Sequence, residues 1–331
     1  MVKAARSADE AWAMVTGFVP SRTDPTRRLD PSDPDALSPA ELYRQASLAA
    51  NAFHTSYLSD ARGGHGKKLE VIYALQAVQL GAANFKSQAA ALALAYRADK
   101  KNTDADRFDV AFLADGSALA DTLKGKRFID DGVKYEQLAD SLYAEFGDTT
   151  EMHSLYVSIV RTTDPTTATR VANRLLTFKK APAWVKDSAQ AVLDRSKLIG
   201  KPLDLKITTI GGDIIDLSAP SAKPTVIYLW NVADGLTANL EILNHFKPMA
   251  VADARWLYVG LGGEQPVSDQ PMAGSPFAST HSFVKPQFGN PITNYLKVNQ
   301  APYAFVLNRA GKVVGYGFPE NIAALLQAAK N

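Results

Sequence analysis

At Ile199 the chain changes its residue pattern, and that change constrains the architecture more than any single motif. Of the 198 residues before Ile199, 26 are basic and 25 acidic; of the 133 from there on, 10 are basic and 9 acidic. Apolar residues recur at helical spacing before the break and as short, strand-like runs after it. The break reads Lys197-Leu198-Ile199-Gly200-Lys201-Pro202. Glycine tolerates the left-handed dihedrals that close a helix, and proline cannot continue its hydrogen-bond ladder. A domain boundary is therefore expected near 198–202, and 331 residues give room for two domains of ordinary size.

The first part reads as helix after helix. Ser38 is a candidate N-cap, Pro39 occupies the first helical position and Glu41 stands three residues after the cap. Leu42, Ala46, Ala49 and Phe53 then repeat on one face, predicting a helix over 39–58. Further amphipathic stretches are expected at about 67–80, 83–98, 103–114, 134–146, 150–162, 166–178 and 182–197. Short polar connections point to an all-α domain over 39–198, either a bundle or an array of helical hairpins. No 34-residue tetratricopeptide signature is present. Residues 1–38 are expected to hold an N-terminal helix and a strap made extended by Pro20, Pro25, Pro31 and Pro34.

From 199 the order is α/β. Leu203–Thr209 and Asp213–Leu217 flank Ile210-Gly211-Gly212 as a hairpin would. Thr225–Trp230 is a nearly unbroken apolar run, as in a strand buried on both faces. A helix at 236–247 and strands at 256–261, 303–308 and 313–316 follow, with a turn at 309–312 and a closing helix from Glu320 to Ala329. Residues 262–290 form a Pro-, Gly- and Ser-rich connection carrying Phe277, Phe283 and Phe288. Those rings either pin the loop to its own domain or form an interface.

Several chemistries have no support. A surplus of two positive charges gives no footprint for nucleic acid or an anionic membrane. No apolar run reaches the roughly 18–20 residues a membrane span needs, and Asp9 and Glu10 interrupt the region where a signal peptide would be apolar. No two of the histidines at 54, 65, 153, 245 and 281 have helix-ligand spacing, so neither metal nor cofactor is expected. Gly63-Gly64-His65-Gly66-Lys67-Lys68 lacks the strand and the glycine spacing of a phosphate loop and is expected to be a flexible connection. Asp104, Asp106 and Asp109 are read as a solvated helix start, not a calcium loop.

The residues from 199 resemble a family. The Ile199–Leu203 and Thr209–Leu217 segments resemble the entrance of a TlpA-like thioredoxin domain, Val226–Trp230 its strand ending in Trp, and Val298–Val313 its proline segment and final hairpin. The resemblance covers about 199–331, with Trp230 and Pro302 its most specific marks, and implies a central mixed sheet flanked by helices. It also implies an extracytoplasmic protein, periplasmic or extracellular. In that fold Pro302 would be a cis proline, with backbone near Ala301 and Tyr303 open to an extended peptide.

The family's Trp-x-x-x-Cys-x-x-Cys falls on Trp230–Thr237 without a gap. Its cysteine positions become Asp234 and Thr237, and Gly235 is the one residue retained between them. The chain has no cysteine anywhere, and disulfide exchange needs a thiolate attacking a sulfur. Asp234 and Thr237 suit a helix cap better than catalysis. The expectation is a redox-inactive thioredoxin-like protein acting as a binding or assembly module, toward an unknown protein partner or by self-association. The alternatives are a subunit of a homo-oligomer or envelope assembly, packed through 262–290, and a cysteine-independent enzyme using Asp234.

Overall fold

A computed structural model describes residues 5, 7–17, 37–123, 131–208, 213–231, 254–261, 281–284, 291–298 and 301–330. The chain divides into two compact units, Met1–Met152 and His153–Asn331, and the division falls inside a helix. The strap at 19–36 and the helix expected at 236–247 lie outside the described residues.

The first unit contains α1 (Ala8–Gly17), α2 (Pro39–Ser56), α3 (Gly63–Gln79), α4 (Lys86–Ala98), α5 (Asp104–Leu123), α6 (Gly132–Phe146) and the start of α7 (Thr150–Thr162). Local chemistry sets the ends. The Glu41 amide donates to Ser38 Oγ at 3.2 Å, and Pro39 follows the cap. The Asp131 side chain accepts from the Lys134 amide to start α6. Apolar stripes of α3, α4 and α5 meet in one core that includes Val71, Ala74, Phe85, Ala93, Tyr96 and Val110. A second core joins Ala11 and Val15 of α1 to Ala49, Ala50 and Phe53 of α2.

Two expectations in this unit need correction. The Gly63–Gly66 segment is not a flexible connection but the first turn of α3. At Gly66 an added Cβ would lie 2.9 Å from Cδ1 of the buried Phe53, so the missing side chain is what lets α3 approach α2. Helix α5, expected to end at about 114, runs nine residues further, with Asp115 held by Arg97 and Ser117 by Gln79.

The second unit contains the rest of α7, α8 (Pro165–Thr177) and α9 (Ala183–Ser196), then β1 (Lys206–Thr208), β2 (Ile214–Asp216), β3 (Thr225–Asn231), β4 (Arg255–Leu261) and β5 (His281–Val284). It closes with α10 (Pro291–Leu296), β6 (Tyr303–Leu307), β7 (Val313–Gly317) and α11 (Ile322–Lys330). β1 and β2 form the expected antiparallel hairpin. Five strands form a mixed sheet in the order β5-β4-β3-β6-β7. β3 lies parallel to β4 and antiparallel to β6, while β4 and β5 are parallel and β6 and β7 antiparallel. β5 corrects the reading of 262–290 as one connection, since 281–284 pairs with Trp256–Val259.

Both faces of the sheet are buried, which explains the apolar continuity of β3. Ile227 and Leu229 join a core with Leu203, Leu257, Phe305 and Tyr316. Val226, Tyr228 and Trp230 point into the opposite core, which α11 completes through Ile322 and Leu326. α9 ends at Ser196; four residues on, Gly200 takes φ 78° and its amide donates to the Val313 carbonyl at 2.8 Å. The break at Ile199 is thus where helix gives way to chain running beside β7.

Candidate functional site

The candidate positions Trp230 and Pro302 lie at the C-terminal end of β3 and just before the N-terminal end of β6. The ladder between these strands runs from Thr225↔Leu307 to Leu229↔Tyr303. One residue further out on each strand stand Trp230 and Pro302, so two residues 72 positions apart in sequence are neighbours at one end of the sheet. The Ala301–Pro302 peptide bond is cis, as the resemblance implies. Ala301 and Pro302 are both half-buried, leaving part of that end open. Central β3 thus has a parallel neighbour on one side and an antiparallel hairpin on the other, with a proline just before β6. The fold is thioredoxin-like.

No family profile matches the chain. No curated protein matches it either. Among solved structures, the chain is similar to the pneumococcal exposed lipoprotein thioredoxin Etrx1 of Streptococcus pneumoniae, at 18% identity and TM-score 0.29, covering 39% of this chain and 100% of that one. It is similar to StoA of Bacillus subtilis at 15% identity and TM-score 0.26, covering 38% and 96%. It is also similar to the N-terminal domain of PilB of Neisseria gonorrhoeae at 18% identity and TM-score 0.27, covering 37% and 86%. The fold assignment rests on the strand order and on the place of Pro302, not on these values.

The expected site residues fall in different places. Trp230 is 3% exposed in the core beneath α11, and its indole Nε1 is buried with no hydrogen-bond partner among the described residues. Asp234, Gly235, Thr237, Phe277 and Phe288 lie outside the described residues. Phe283 sits on β5 opposite Tyr258, and its side chain is outside the described part. Tyr303, expected at an interface, is 4% exposed, because the ladder turns its ring inward against Phe305 and Tyr316. Among the described residues of the proline segment, Ala301 and Pro302 are half-buried and Val298 is buried.

The chemistry available here is narrow. With no cysteine in the sequence, thiol–disulfide oxidoreductase activity is excluded. Burial pushes the phenol pKa values of Tyr228, Tyr258 and Tyr303 well above the usual range, so each stays protonated at neutral pH. For Tyr303 the Arg195 charge pulls the other way without reversing the direction.

Arg195 is a residue that sequence reasoning missed. It lies in the last turn of α9, is 5% exposed, and sets its guanidinium carbon 5.6 Å from the Tyr303 ring and 5.9 Å from the Tyr316 ring. An arginine near a helix C-terminus ordinarily reads as a solvated charge complementing the helix dipole, so no local signal marks it as buried.

The polar clusters of the first unit are braces. His54 Nε2 and Glu70 Oε2 are 2.6 Å apart, the Asn51 amide donates to Glu70 Oε1 at 2.9 Å, and Ser47 Oγ donates to the Glu70 carbonyl. Three residues of one α2 face thus converge on one α3 residue. Lys68 Nζ meets both Asp106 and Asp109 at 2.6 Å, and Asp104 pairs with Arg107. Those carboxylates serve the helix bundle. Among the described residues no group of three or more His, Asp or Glu is arranged to hold a metal, and no helix is long and apolar enough to cross a membrane.

Proposed function

We propose that this protein is a redox-inactive, thioredoxin-like binding module that receives an extended peptide segment of a partner protein at the Ala301–Pro302 end of its sheet. The observation that carries the reading is the partial exposure of Ala301 and Pro302 beyond the last Leu229↔Tyr303 pair, in a fold whose chain contains no thiol. Extended peptides bind such edges through main-chain hydrogen bonds, with side-chain pockets adding specificity. The resemblance to TlpA-like proteins supports an extracytoplasmic setting for this exchange.

Affinity capture of the tagged full chain from its native lysate, read by mass spectrometry beside an Ala301→Arg variant, tests the reading. A partner retained by the wild type and lost by the variant supports it. A partner retained equally by both places recognition elsewhere.

A further inference from the structure

Two arginines of this protein show how its guanidinium groups take a carboxylate, through the edge formed by Nε and Nη2. Arg44 sets these two nitrogens each 2.7 Å from an oxygen of Glu41. Arg62 holds Asp60 through the same edge, at 2.9 and 2.7 Å. Such forked, charge-assisted pairs match the planar guanidinium to a planar anion. Arg107, 4% exposed, is buried yet paired, with Asp104 at 2.6 Å and Glu145 at 3.6 Å.

Arg195 is buried as deeply and differs. Its Nη1 donates to the neutral carbonyl of Lys297. Among the described residues its Nε–Nη2 edge carries no hydrogen bond, and no carboxylate reaches its guanidinium. The Tyr303 and Tyr316 rings beside it offset the charge only in part. A second donor in the same core also has no partner among the described residues: the hydroxyl of Tyr316, 4% exposed, whose ring centre lies 5.9 Å from the guanidinium carbon. A buried charge is costly unless paired, and buried donors are bonded as a rule. The place is shallow, since Lys297, whose carbonyl holds Nη1, is itself exposed.

We infer that Arg195 receives a carboxylate from outside the chain, forked on Nε and Nη2, with the Tyr316 hydroxyl donating to the same group. The surroundings select this ligand. One cation neutralises one negative charge, and the aromatic walls of Tyr303, Tyr316 and Phe305 supply no second cation, so a doubly charged phosphate is left half paired. The planar fork fits two coplanar oxygens better than a spherical halide. Lys297 precedes Ala301 by four residues, which makes an acidic side chain or C-terminal carboxylate of a segment bound at Ala301 the natural source. That source rests on the peptide-binding reading; the carboxylate site itself does not.

Titration of the full chain with sodium acetate at constant ionic strength, followed at the Arg195 Nε–H magnetic resonance signal, tests the site. The signal is assigned by its loss in Arg195→Met. Acetate should shift it saturably, and acetamide, the uncharged isostere, should not. Tyr316→Phe removes only the hydroxyl and should weaken acetate binding about tenfold. A signal that acetate moves no more than acetamide does, or a Tyr316→Phe variant that binds acetate like wild type, would overturn the assignment. The source is read separately, by exchanging each carboxylate of a captured partner segment for its amide. One exchange should weaken binding to the wild type at least about tenfold and leave binding to Arg195→Met unchanged. With acetate bound as expected, a segment indifferent to every exchange makes the ligand a free small carboxylate and overturns the peptide source. Acetate binding with no segment held at Ala301 supports the site and counts against the peptide reading alone.

Discussion

Arg195 donates from Nη1 to the main-chain carbonyl of Lys297, tying the end of α9 to the residue that follows α10 and precedes the Ala301–Pro302 segment. Lys297 has φ 53°, so this carbonyl belongs to a left-handed turn. The guanidinium has two tyrosine rings near it, and its Nε has no hydrogen-bond partner among the described residues. A buried cation held by one carbonyl and ring faces fixes position more than it adds net stability.

The substitutions that follow have an expected order. Arg195→Ala leaves the Lys297 carbonyl unpaired and opens space beside Tyr303, costing about 2–4 kcal/mol. Arg195→Met keeps the volume without a buried charge and should cost less than the alanine change. Hydrogen exchange of β6 amides in the two variants reads this within the second unit. Equal loss of protection in both would show that the charge and its carbonyl bond, not the packing, set the stability.

Neighbouring glycines in α3 should respond in opposite directions. At Gly64 an added Cβ meets nothing within 4 Å, so Gly64→Ala should stabilise by up to about 1 kcal/mol through helix propensity. At Gly66 the same Cβ would sit 2.9 Å from a fully buried ring, and overpacking costs about 1–3 kcal/mol, enough to outweigh the propensity gain. Denaturant unfolding of the two variants measures the sign at each position.

A similar contrast applies to two left-handed glycines in the second unit. Gly200 at φ 78° has open space around a Cβ, whereas at Gly311, φ 74°, a Cβ would lie 2.8 Å from the carbonyl oxygens of Leu217 and Ser218. Asparagine tolerates the left-handed region but still carries a Cβ. Gly200→Asn should therefore cost under about 1 kcal/mol and Gly311→Asn clearly more. Thermal unfolding that ranks them the other way would mean the turn at 309–312 relaxes freely.

Acid should loosen α2 late. Hydrogen bonds from Arg44 and then Gln45 lower the Glu41 carboxyl to about 2. Folding lowers this pKa, so its contribution is complete above the unfolded value of 4.5 and is lost as pH falls through about 2. Asp60, bonded by the Arg62 side chain and then by the Arg62 amide, also titrates at about 2. Carboxyl carbon chemical shifts followed against pH should show both low midpoints, and Arg44→Gln should raise that of Glu41 alone. A Glu41 midpoint unchanged by Arg44→Gln would mean the pair is not formed in solution.

How much of this could be read from the sequence varies with how local its cause is. The cap at Ser38, the left-handed glycine at 200 and the buried continuity of Thr225–Trp230 are set by a few adjacent residues, and each is legible. The α5 extension, the helical Gly63–Gly66 and the strand at 281–284 depend on distant partners, namely Arg97 and Gln79, Phe53, and β4. Local propensity there points to a loop, and tertiary contact overrides it. The place of Trp230 and Pro302 at one end of the sheet follows from the strand order that the family resemblance implies. The inward turn of Tyr303 and the burial of Arg195 follow from sheet register and from α9 packing, which no short motif encodes.

The most direct test of the central claim is amide hydrogen exchange of the full chain, free and with its captured partner or a peptide derived from it. Exchange at Ala301 should slow in the complex, with the Leu229 and Tyr303 amides of the adjoining ladder already protected in both states. Unchanged exchange at Ala301, with new protection confined to other elements, would contradict it.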